Sequence, residues 1–212
     1  KISGQPAKCF ARSGRAWKFG SLSMVTLVTP HGGNSLKALL LAESDRVAAS
    51  KKADNLIKVP MSSRETSDVL MLAMGAYTPL EGFMCEADWY GTCAEMKLQN
   101  GLFWPIPITL SVDRNLANQI KIDEDVALFD EETGKTMAIM NVSEKFEIDK
   151  DFENRNIFGT TDINHPGVKK VLEQRDVNLG GSVKVFDEGD MPNDYKDLYL
   201  RPAETRALFN KL

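Results

Sequence analysis

The residues of this chain that could carry acid–base or nucleophilic chemistry are few. Its two histidines, His31 and His165, lie far apart in sequence. A metal site, or a Ser–His or Cys–His pair, would need the fold to bring the two together or to add carboxylates, and no spacing indicates this. We therefore expect each histidine to serve a turn or a helix cap. The glycines beside His31 leave the backbone there open to close approach by a ligand or a neighbouring domain.

The cysteines predict neither a disulfide framework nor a zinc site. There are three of them, Cys9, Cys85 and Cys93, and no pair has C-x-x-C spacing. An odd number without such spacing is typical of a protein from a reducing compartment. We expect a cytoplasmic protein.

Phosphate-binding and acid–base motifs are also missing from the sequence. Neither a P-loop nor a dinucleotide fingerprint occurs, and we interpret Gly32-Gly33 and Gly180-Gly181 as turns. The acidic stretches 123–125 and 130–132 flank a predicted strand and are typical of solvated loop ends. We therefore expect this chain to contribute no catalytic, cofactor-binding or metal-binding residue.

Composition and charge favour a soluble domain without a nucleic-acid or membrane partner. The 212 residues are 42% hydrophobic and 26% charged, and no stretch is long and apolar enough to cross a bilayer. Five basic residues precede Met24 with no acidic residue among them, so the remainder is more acidic than the net charge of -4. Binding to a phosphate backbone needs clustered Lys and Arg, which such an acidic body lacks.

Residues 1–23 differ from the rest of the chain. They are rich in Ser, Gly, Arg and Lys and have no periodicity, whereas a regular apolar pattern begins after Met24. We expect Met24 to be a native start. The preceding stretch is a leader introduced for expression, an upstream misreading or a transit peptide, since transit peptides are rich in Arg and Ser and poor in acidic residues.

Four helices are predicted from capping residues and apolar spacing. The first starts at Ser35 and carries Leu36, Leu39 and Leu40. The second has Ser62 and Glu65 at capping-box spacing and ends at Gly75, the third runs from Pro166 to about Arg175, and the fourth opens at Pro202.

Short β-like runs occupy the second half of the chain. They cover residues 106–112, 126–129, 137–142 and 183–186, and a hairpin connection is predicted at 130–135. Pro105 and Pro107 would deny ladder hydrogen bonds, so the first run should begin at an edge or after a bend. Early helices followed by hairpins predict an α+β domain whose strands curl into a small barrel.

Five motifs in order give the sequence its strongest resemblance. GAYTPLEGFM at 75–84 resembles the Gly-x-Tyr/Phe-x-Pro-Leu-x-Gly-Phe motif of ATP sulfurylases (sulfate adenylyltransferases). The other four are PHGG (30–33), WPIPITL (104–110), FGTTDINHPGV (158–168) and RPAETR (201–206). Most are structural in type: in the first, Pro79 and Gly82 predict a turn that buries Phe83, and Glu81 has no neighbouring histidine or lysine for an acid–base pair.

The resemblance implies the amino-terminal domain of that family, a PUA-like small β-barrel with flanking helices that packs on the catalytic domain. It divides the chain into a leader (1–23), the PUA-like domain (24–190), and a linker with the start of the catalytic domain (191–212). The family's Gln-x-Arg-Asn-Pro and His-x-x-His motifs, which bind sulfate and the phosphates of ATP, do not occur here.

The intact enzymes convert ATP and sulfate, with magnesium, into adenosine 5′-phosphosulfate and pyrophosphate. Stabilising the transferring phosphoryl group is central to such catalysis. We therefore expect this chain alone to be inactive and to have a structural role, with its own catalytic domain as partner in an intact homo-oligomer. The alternatives are a standalone PUA-like regulatory module, or an RNA-binding module that uses the basic residues before Met24 as an arm.

Overall fold

The computed structural model describes residues 28–212. The expectations for residues 1–23, and for Met24 as a start, lie outside this range. In chain order the elements are α1 (Glu43–Ala53), β1 (Ile57–Met61), α2 (Ser63–Ala73), β2 (Gly82–Phe83), α3 (Glu86–Glu95), β3 (Leu110–Val112), α4 (Arg114–Gln119), β4 (Glu124–Asp130), β5 (Thr136–Glu147), α5 (Lys150–Phe158), α6 (Pro166–Leu172), β6 (Val177–Val185), α7 (Met191–Asp194) and α8 (Pro202–Phe209). The predicted mixture of helices and strands is confirmed.

The described strands form one six-stranded sheet. Its order is β1-β4-β5-β6-β2, and β3 pairs with β6 as well. Strand β1 runs parallel to β4, and every other pairing is antiparallel. The central hairpin β4–β5 confirms the connection predicted at 130–135. A register shift between Val142 and Glu144 bends β5, so that its two halves pair with different parts of β6.

The expected closed barrel is not confirmed, because the described sheet stays open between β1 and β3. Side chains fill the gap instead. The Arg175 guanidinium donates to the carbonyl oxygens of Pro60 on β1 and Ser111 on β3, at 3.5 and 3.4 Å. The Ser111 amide donates to the Glu65 carboxylate at 2.8 Å. The Arg175 and Glu65 side chains thus give hydrogen-bond partners to backbone atoms of β1 and β3 that are not paired with each other in a ladder. We call Arg64, Glu65, Ser111 and Arg175 the seam network.

Helix α2 forms where its capping signals predict it. The Ser62 side chain caps the Glu65 amide, and the Glu65 carboxylate accepts from the Ser62 amide at 2.8 Å, which completes the predicted capping box. After the helix, Gly75 has φ +77°, a left-handed conformation that suits glycine. The buried face of α2 includes Val69 and Leu72, which belong to the main core beneath the sheet.

The helix predicted from Ser35 is wrong. The Leu39 amide donates to the Leu72 carbonyl, the Leu41 amide donates to Val185, and Val185 donates back to Leu39. This extended segment therefore supplies partners both to the end of α2 and to β6. The long-range backbone hydrogen bonds outweigh the helical spacing of the leucines. The first described helix is α1, which that spacing did not predict.

The turn predicted at Gly180-Gly181 is also wrong, because both residues lie inside β6. A Cβ at Gly181 would lie 2.0 Å from the Asn141 carbonyl oxygen, and a Cβ at Gly180 would lie 2.7 Å from Cys85 Cα. The glycines therefore allow neighbouring backbone to approach β6 closely at the bend of β5. The predicted strand at 183–186 is the end of this longer strand.

The later helices start at their predicted prolines. Helix α6 begins at Pro166 and α8 begins at Pro202. Only the end of the predicted 106–112 strand, Leu110–Val112, pairs in the sheet, in agreement with the restriction expected from Pro105 and Pro107. Every helix of residues 28–212 is too short or too polar to span a bilayer.

Candidate functional site

Three of the sequence motifs meet in one cluster of rings. The His31 Nε2 lies 2.7 Å from the Phe103 carbonyl oxygen, and its ring centroid lies 6.1 Å from that of Trp104. Tyr77 meets Trp104 edge to face at 5.9 Å. We call His31, Tyr77 and Trp104 the aromatic cluster. It brings the segments 30–33, 75–84 and 104–110 together.

Close packing explains Gly32, the glycine next to His31. A Cβ at Gly32 would lie 2.5 Å from Leu102 Cδ2 and 2.9 Å from Pro79 Cγ, and Gly32 has φ +70°. The PHGG segment therefore folds tightly against the 75–84 segment. His31 lies in the predicted turn. The backbone next to it, at Gly32, is closely approached by Leu102 and Pro79 of the same domain.

Asp68 on α2 is a buried carboxylate that contacts the aromatic cluster through Tyr77. It is 6% exposed, and it accepts hydrogen bonds from the Tyr77 hydroxyl and from Arg64 Nη1, both at 3.1 Å. Burial raises the pKa of Asp68 to about 6, against the lowering effect of Arg64 and Tyr77. Burial and the neighbouring Asp68 carboxylate also raise the pKa of Tyr77. This network ties the aromatic cluster to α2.

The seam network is built around Glu65, which is 1% exposed. Its Oε1 accepts from the Ser111 amide and hydroxyl at 2.8 and 3.0 Å. Its Oε2 accepts from the Ser62 amide and hydroxyl at 2.8 and 2.7 Å. Arg64 and Arg175 lie 3.6 and 3.8 Å away, so the buried charge has both hydrogen bonds and nearby cations.

A cleft of about 630 Å³ opens over the seam network, between the start of α2 and the end of α6. Its cationic side chains are paired with carboxylates. Arg175 makes a bidentate ion pair with Glu131 at 3.0 and 2.9 Å, and Lys170 lies 3.0 Å from Glu173. The cleft therefore presents balanced charge and hydroxyl groups, with Gln174 at its wall. No sequence motif indicates this cleft, because its walls come from separate parts of the chain.

The two described cysteines are poorly suited to nucleophilic attack. Burial, reinforced by Glu144, raises the pKa of Cys85 to about 11. Burial and the nearby Glu153 also raise the pKa of Cys93. Both thiols therefore stay protonated at neutral pH, and the thiolate is the reactive form.

His165 caps a helix, as expected. Its Nδ1 accepts from the amides of Gly167 and Val168 at 3.2 and 3.4 Å, at the start of α6. Its ring packs 5.0 Å from that of Phe158, and a Cβ at Gly167 would lie 2.5 Å from Phe158. The 158–168 segment is thus held by the His165 cap and by ring packing, and His165 here serves as a helix cap.

One expectation for the 75–84 segment is wrong and another is confirmed. Glu81 does have a lysine partner, because Lys37 donates to its carboxylate. Sequence spacing could not reveal this pair, since the two residues are distant in the chain. Both side chains are largely exposed, so the contact is a surface ion pair. Phe83 is 3% exposed, as the predicted turn requires.

The end of the described chain carries a row of exposed apolar side chains. Glu188 holds Arg201 at 3.2 and 2.6 Å, and this pair anchors the start of α8. Helix α8 itself has no buried residue. Exposed large apolar residues in this stretch include Met191, Tyr195, Leu198, Leu200, Leu208 and Phe209.

The side chains of residues 28–212 described above pack against one another, form hydrogen bonds and make ion pairs. No three His, Cys, Asp or Glu side chains converge there in a way that could hold a metal ion. Asp68 and Glu65 are carboxylates with satisfied hydrogen bonds, and they position backbone segments and rings. The structure gathers the segments 30–33, 75–84 and 104–110 around α2 and the sheet, whereas residues 158–167 and 201–206 contain no buried residue.

The chain is similar to proteins of known family. Residues 28–188 match the family model described as a PUA-like domain. The chain is 50% identical over 186 residues to a sulfate adenylyltransferase of Pelodictyon phaeoclathratiforme, a match that covers 87% of this chain and 46% of the relative. A sulfate adenylyltransferase of Syntrophobacter fumaroxidans is 49% identical over 190 residues, covering 89% and 46%. The chain thus spans about half the length of these relatives.

A solved structure is similar as well. It is described as a hexameric APS kinase from Thiobacillus denitrificans, with a TM-score of 0.66 and 30% sequence identity. The match covers 87% of this chain and 32% of that protein. The same domain architecture therefore occurs within a larger polypeptide.

Proposed function

The chain belongs to the PUA-like domain family, and from that premise we propose that it is the accessory PUA-like domain of a sulfate adenylyltransferase. The intact enzyme would convert ATP and sulfate into adenosine 5′-phosphosulfate and pyrophosphate, with magnesium and ATP bound outside this chain. One observation carries the proposal: identity of about 50% over 87% of the chain, to relatives of which it covers only 46%.

The role of this domain is to support and position the catalytic part. The shared motifs are used for packing, since Phe83 is buried, Gly32 lies against Pro79, and His165 caps a helix. The described thiols have raised pKa values, which disfavours covalent catalysis. A rigid scaffold of this type can hold a neighbouring domain in a fixed position.

We assign residues 24–190 to the PUA-like domain and residues 191–212 to the linker and the start of the next domain. The exposed apolar side chains of α7 and α8 support this boundary, because a surface of this type is normally covered by another domain or subunit. The intact enzyme is proposed to act as a cytoplasmic homo-oligomer. The hexameric relative is consistent with an oligomer.

A domain exchange tests this proposal. The matching region of the Pelodictyon phaeoclathratiforme enzyme is replaced by residues 28–188 of this chain, and sulfate-dependent pyrophosphate release is measured beside the parent enzyme. We expect the chimera to fold and to keep turnover within about tenfold of the parent, a loss of about 1.4 kcal/mol in transition-state stabilisation. A matched chimera carrying Gly33→Ala, where the added Cβ would make only an ordinary contact with the Ser35 carbonyl oxygen at 3.8 Å, serves as the control. A folded chimera without turnover would contradict the proposal.

A further inference from the structure

A cavity of about 480 Å³ lies on the face of the sheet that points away from the main core. Asp125 on β4, Asn141 on β5 and Ser182 on β6 lie opposite one another in register, and all three line the cavity. Residues opposite each other share one face of a sheet, so the three polar side chains form one row across the strands. We call the space above this row the back-face cavity.

The neighbouring row on the same face gives the back-face cavity an apolar wall. This row consists of Ala127, Ile139 and Lys184. Helix α1 packs on Ala127 and Ile139, which form a separate core cluster with Ala49 at its edge. Ile139 and Ala49 line the cavity, and so does the exposed Lys184 at the end of the row. The cavity therefore combines apolar side chains with a polar floor.

The charged side chains that line the cavity are Lys52, Asp125 and Lys184. Lys52 Nζ donates to Asp125 Oδ2 at 2.5 Å, and Asn141 Nδ2 donates to Asp125 Oδ1 at 2.9 Å. These hydrogen bonds hold the pKa of Asp125 below its usual range, so this carboxylate is charged at neutral pH. Lys52 thus pairs with Asp125, whereas no carboxylate of residues 28–212 pairs with Lys184. The lining therefore carries one excess positive charge, in a chain with a net charge of -4.

A second depression, of about 490 Å³, adjoins the back-face cavity and shares Ser182 and Lys184 with it. Its wall is the extended segment 36–42, in which every residue except Lys37 is apolar. The Lys37 ammonium donates to the Glu81 carboxylate, so the charges of this depression cancel. The space therefore continues along an apolar segment while its excess charge stays at Lys184.

We propose that the back-face cavity binds a small organic monocarboxylate, independently of the role proposed for the domain. Lys184 and the Ser182 hydroxyl donate to its carboxylate group, and its apolar chain lies against Ile139. A cavity of this volume, with apolar walls and a few polar groups, is typical of small-molecule sites. One excess positive charge matches a monoanion. A phosphate group carries more negative charge, and the Asp125 carboxylate would repel the remainder.

Nuclear magnetic resonance titrations of the isotope-labelled 212-residue chain test the proposal, with hexanoate as the probe. We expect the backbone amide signals of Asn141, Ser182 and Lys184 to shift saturably, with half-saturation at about 1 mM. Hexanamide has a similar shape without the charge and should bind at least about tenfold more weakly. Inorganic phosphate should also bind more weakly than hexanoate. The proposal is overturned if hexanoate gives no saturable shift at these residues, or if hexanamide or phosphate binds there as tightly.

Variants with opposite expected effects sharpen the result. Lys184→Gln removes the excess charge at an exposed position and should weaken hexanoate binding about tenfold. Asp125→Asn removes the negative charge of the cavity with little change of shape and should strengthen the binding. Lys170→Gln, at an exposed lysine that lines the cleft over the seam network, is the control and should leave it unchanged. The amide spectrum of each free variant shows whether it folds. Parent-like binding by folded Lys184→Gln, or weaker binding by folded Asp125→Asn, contradicts the assignment.

Discussion

The Glu65 carboxylate accepts two hydrogen bonds from Ser111, one from its backbone amide at 2.8 Å and one from its hydroxyl at 3.0 Å. The other carboxylate oxygen caps α2 through Ser62. One buried side chain therefore serves a helix start and a strand edge at the same time. This double role ties the start of α2 to β3 at the open edge of the sheet.

Replacing Glu65 with Gln should strongly destabilise the domain. The amide keeps the shape, but its NH₂ group would face donors from Ser62 or Ser111, and the nearby Arg64 and Arg175 would lose a buried counter-charge. Loss of one partner from a buried charged network costs about 3 to 5 kcal/mol. A urea melt of the 212-residue chain measures this change.

The matched control for that prediction is Glu81→Gln, in which an exposed carboxylate is changed in the same way. Its effect on the free energy of unfolding should stay within about 0.5 kcal/mol. If the two variants had the same free energy of unfolding, the hydrogen bonds and ion pairs of Glu65 would not stabilise the domain.

The Ser62–Glu65 capping box was predictable because both residues lie within one helical turn. The Ser111 contact was not, since it joins residues 46 positions apart and depends on how β3 meets α2. The same reason accounts for the failed barrel expectation. Apolar alternation indicates strands, but whether two edges bond directly or through side chains depends on tertiary contacts that the pattern does not encode.

Gly82→Ala should cost much more than Gly33→Ala, although both glycines belong to shared motifs. A Cβ at Gly82 would lie 2.0 Å from the Gly181 carbonyl oxygen and 2.9 Å from Ser182 Cα, so the β6 backbone itself would have to shift. Overpacking of this kind costs about 1 to 3 kcal/mol. A Cβ at Gly33 would meet only the Ser35 carbonyl oxygen, at 3.8 Å.

Thermal melts of the two glycine variants provide the comparison. We expect the Gly33→Ala midpoint to remain close to that of the parent and the Gly82→Ala midpoint to fall by several degrees. Similar midpoints would mean that the backbones of β2 and β6 lie farther apart at Gly82 than described here. The turn predicted at 180–181 is wrong for a related reason. The sequence shows that these residues have no Cβ, but it does not show that neighbouring backbone approaches them closely inside a strand.

The stability of the chain should depend on pH through Asp68. Its folded pKa is raised from 3.8 to about 6, so the folded state binds a proton more tightly than the unfolded state does. The stability from this proton is complete below about pH 4 and is lost as pH rises through about 6. Two pKa units correspond to about 3 kcal/mol.

A comparison with Asp68→Asn isolates that contribution. Relative to this variant, which cannot titrate at position 68, the parent chain should gain stability as pH falls from 7 to about 4. Denaturant melts at each pH measure the difference. If the difference in free energy of unfolding between the parent and Asp68→Asn stays constant across that range, or decreases toward low pH, folding does not raise the pKa of Asp68.

The aromatic cluster illustrates how much of the site the sequence contained. The motifs identified His31, Tyr77 and Trp104 as parts of ordered segments, and the resemblance placed them in one domain. Their mutual contact, and the Asp68 network beneath them, depend on the fold of the segments around α2. The cleft was missed because charged residues at 64, 131, 170 and 175 have no spacing that a motif could reveal.

Sulfate-dependent pyrophosphate release by the purified 212-residue chain tests the central claim most directly. The sequence contains neither the Gln-x-Arg-Asn-Pro nor the His-x-x-His motif, so we expect release from ATP and sulfate no faster than in a protein-free control. The Pelodictyon phaeoclathratiforme relative serves as the positive control in the same assay. Release that requires sulfate and follows the concentration of the purified chain would contradict the account.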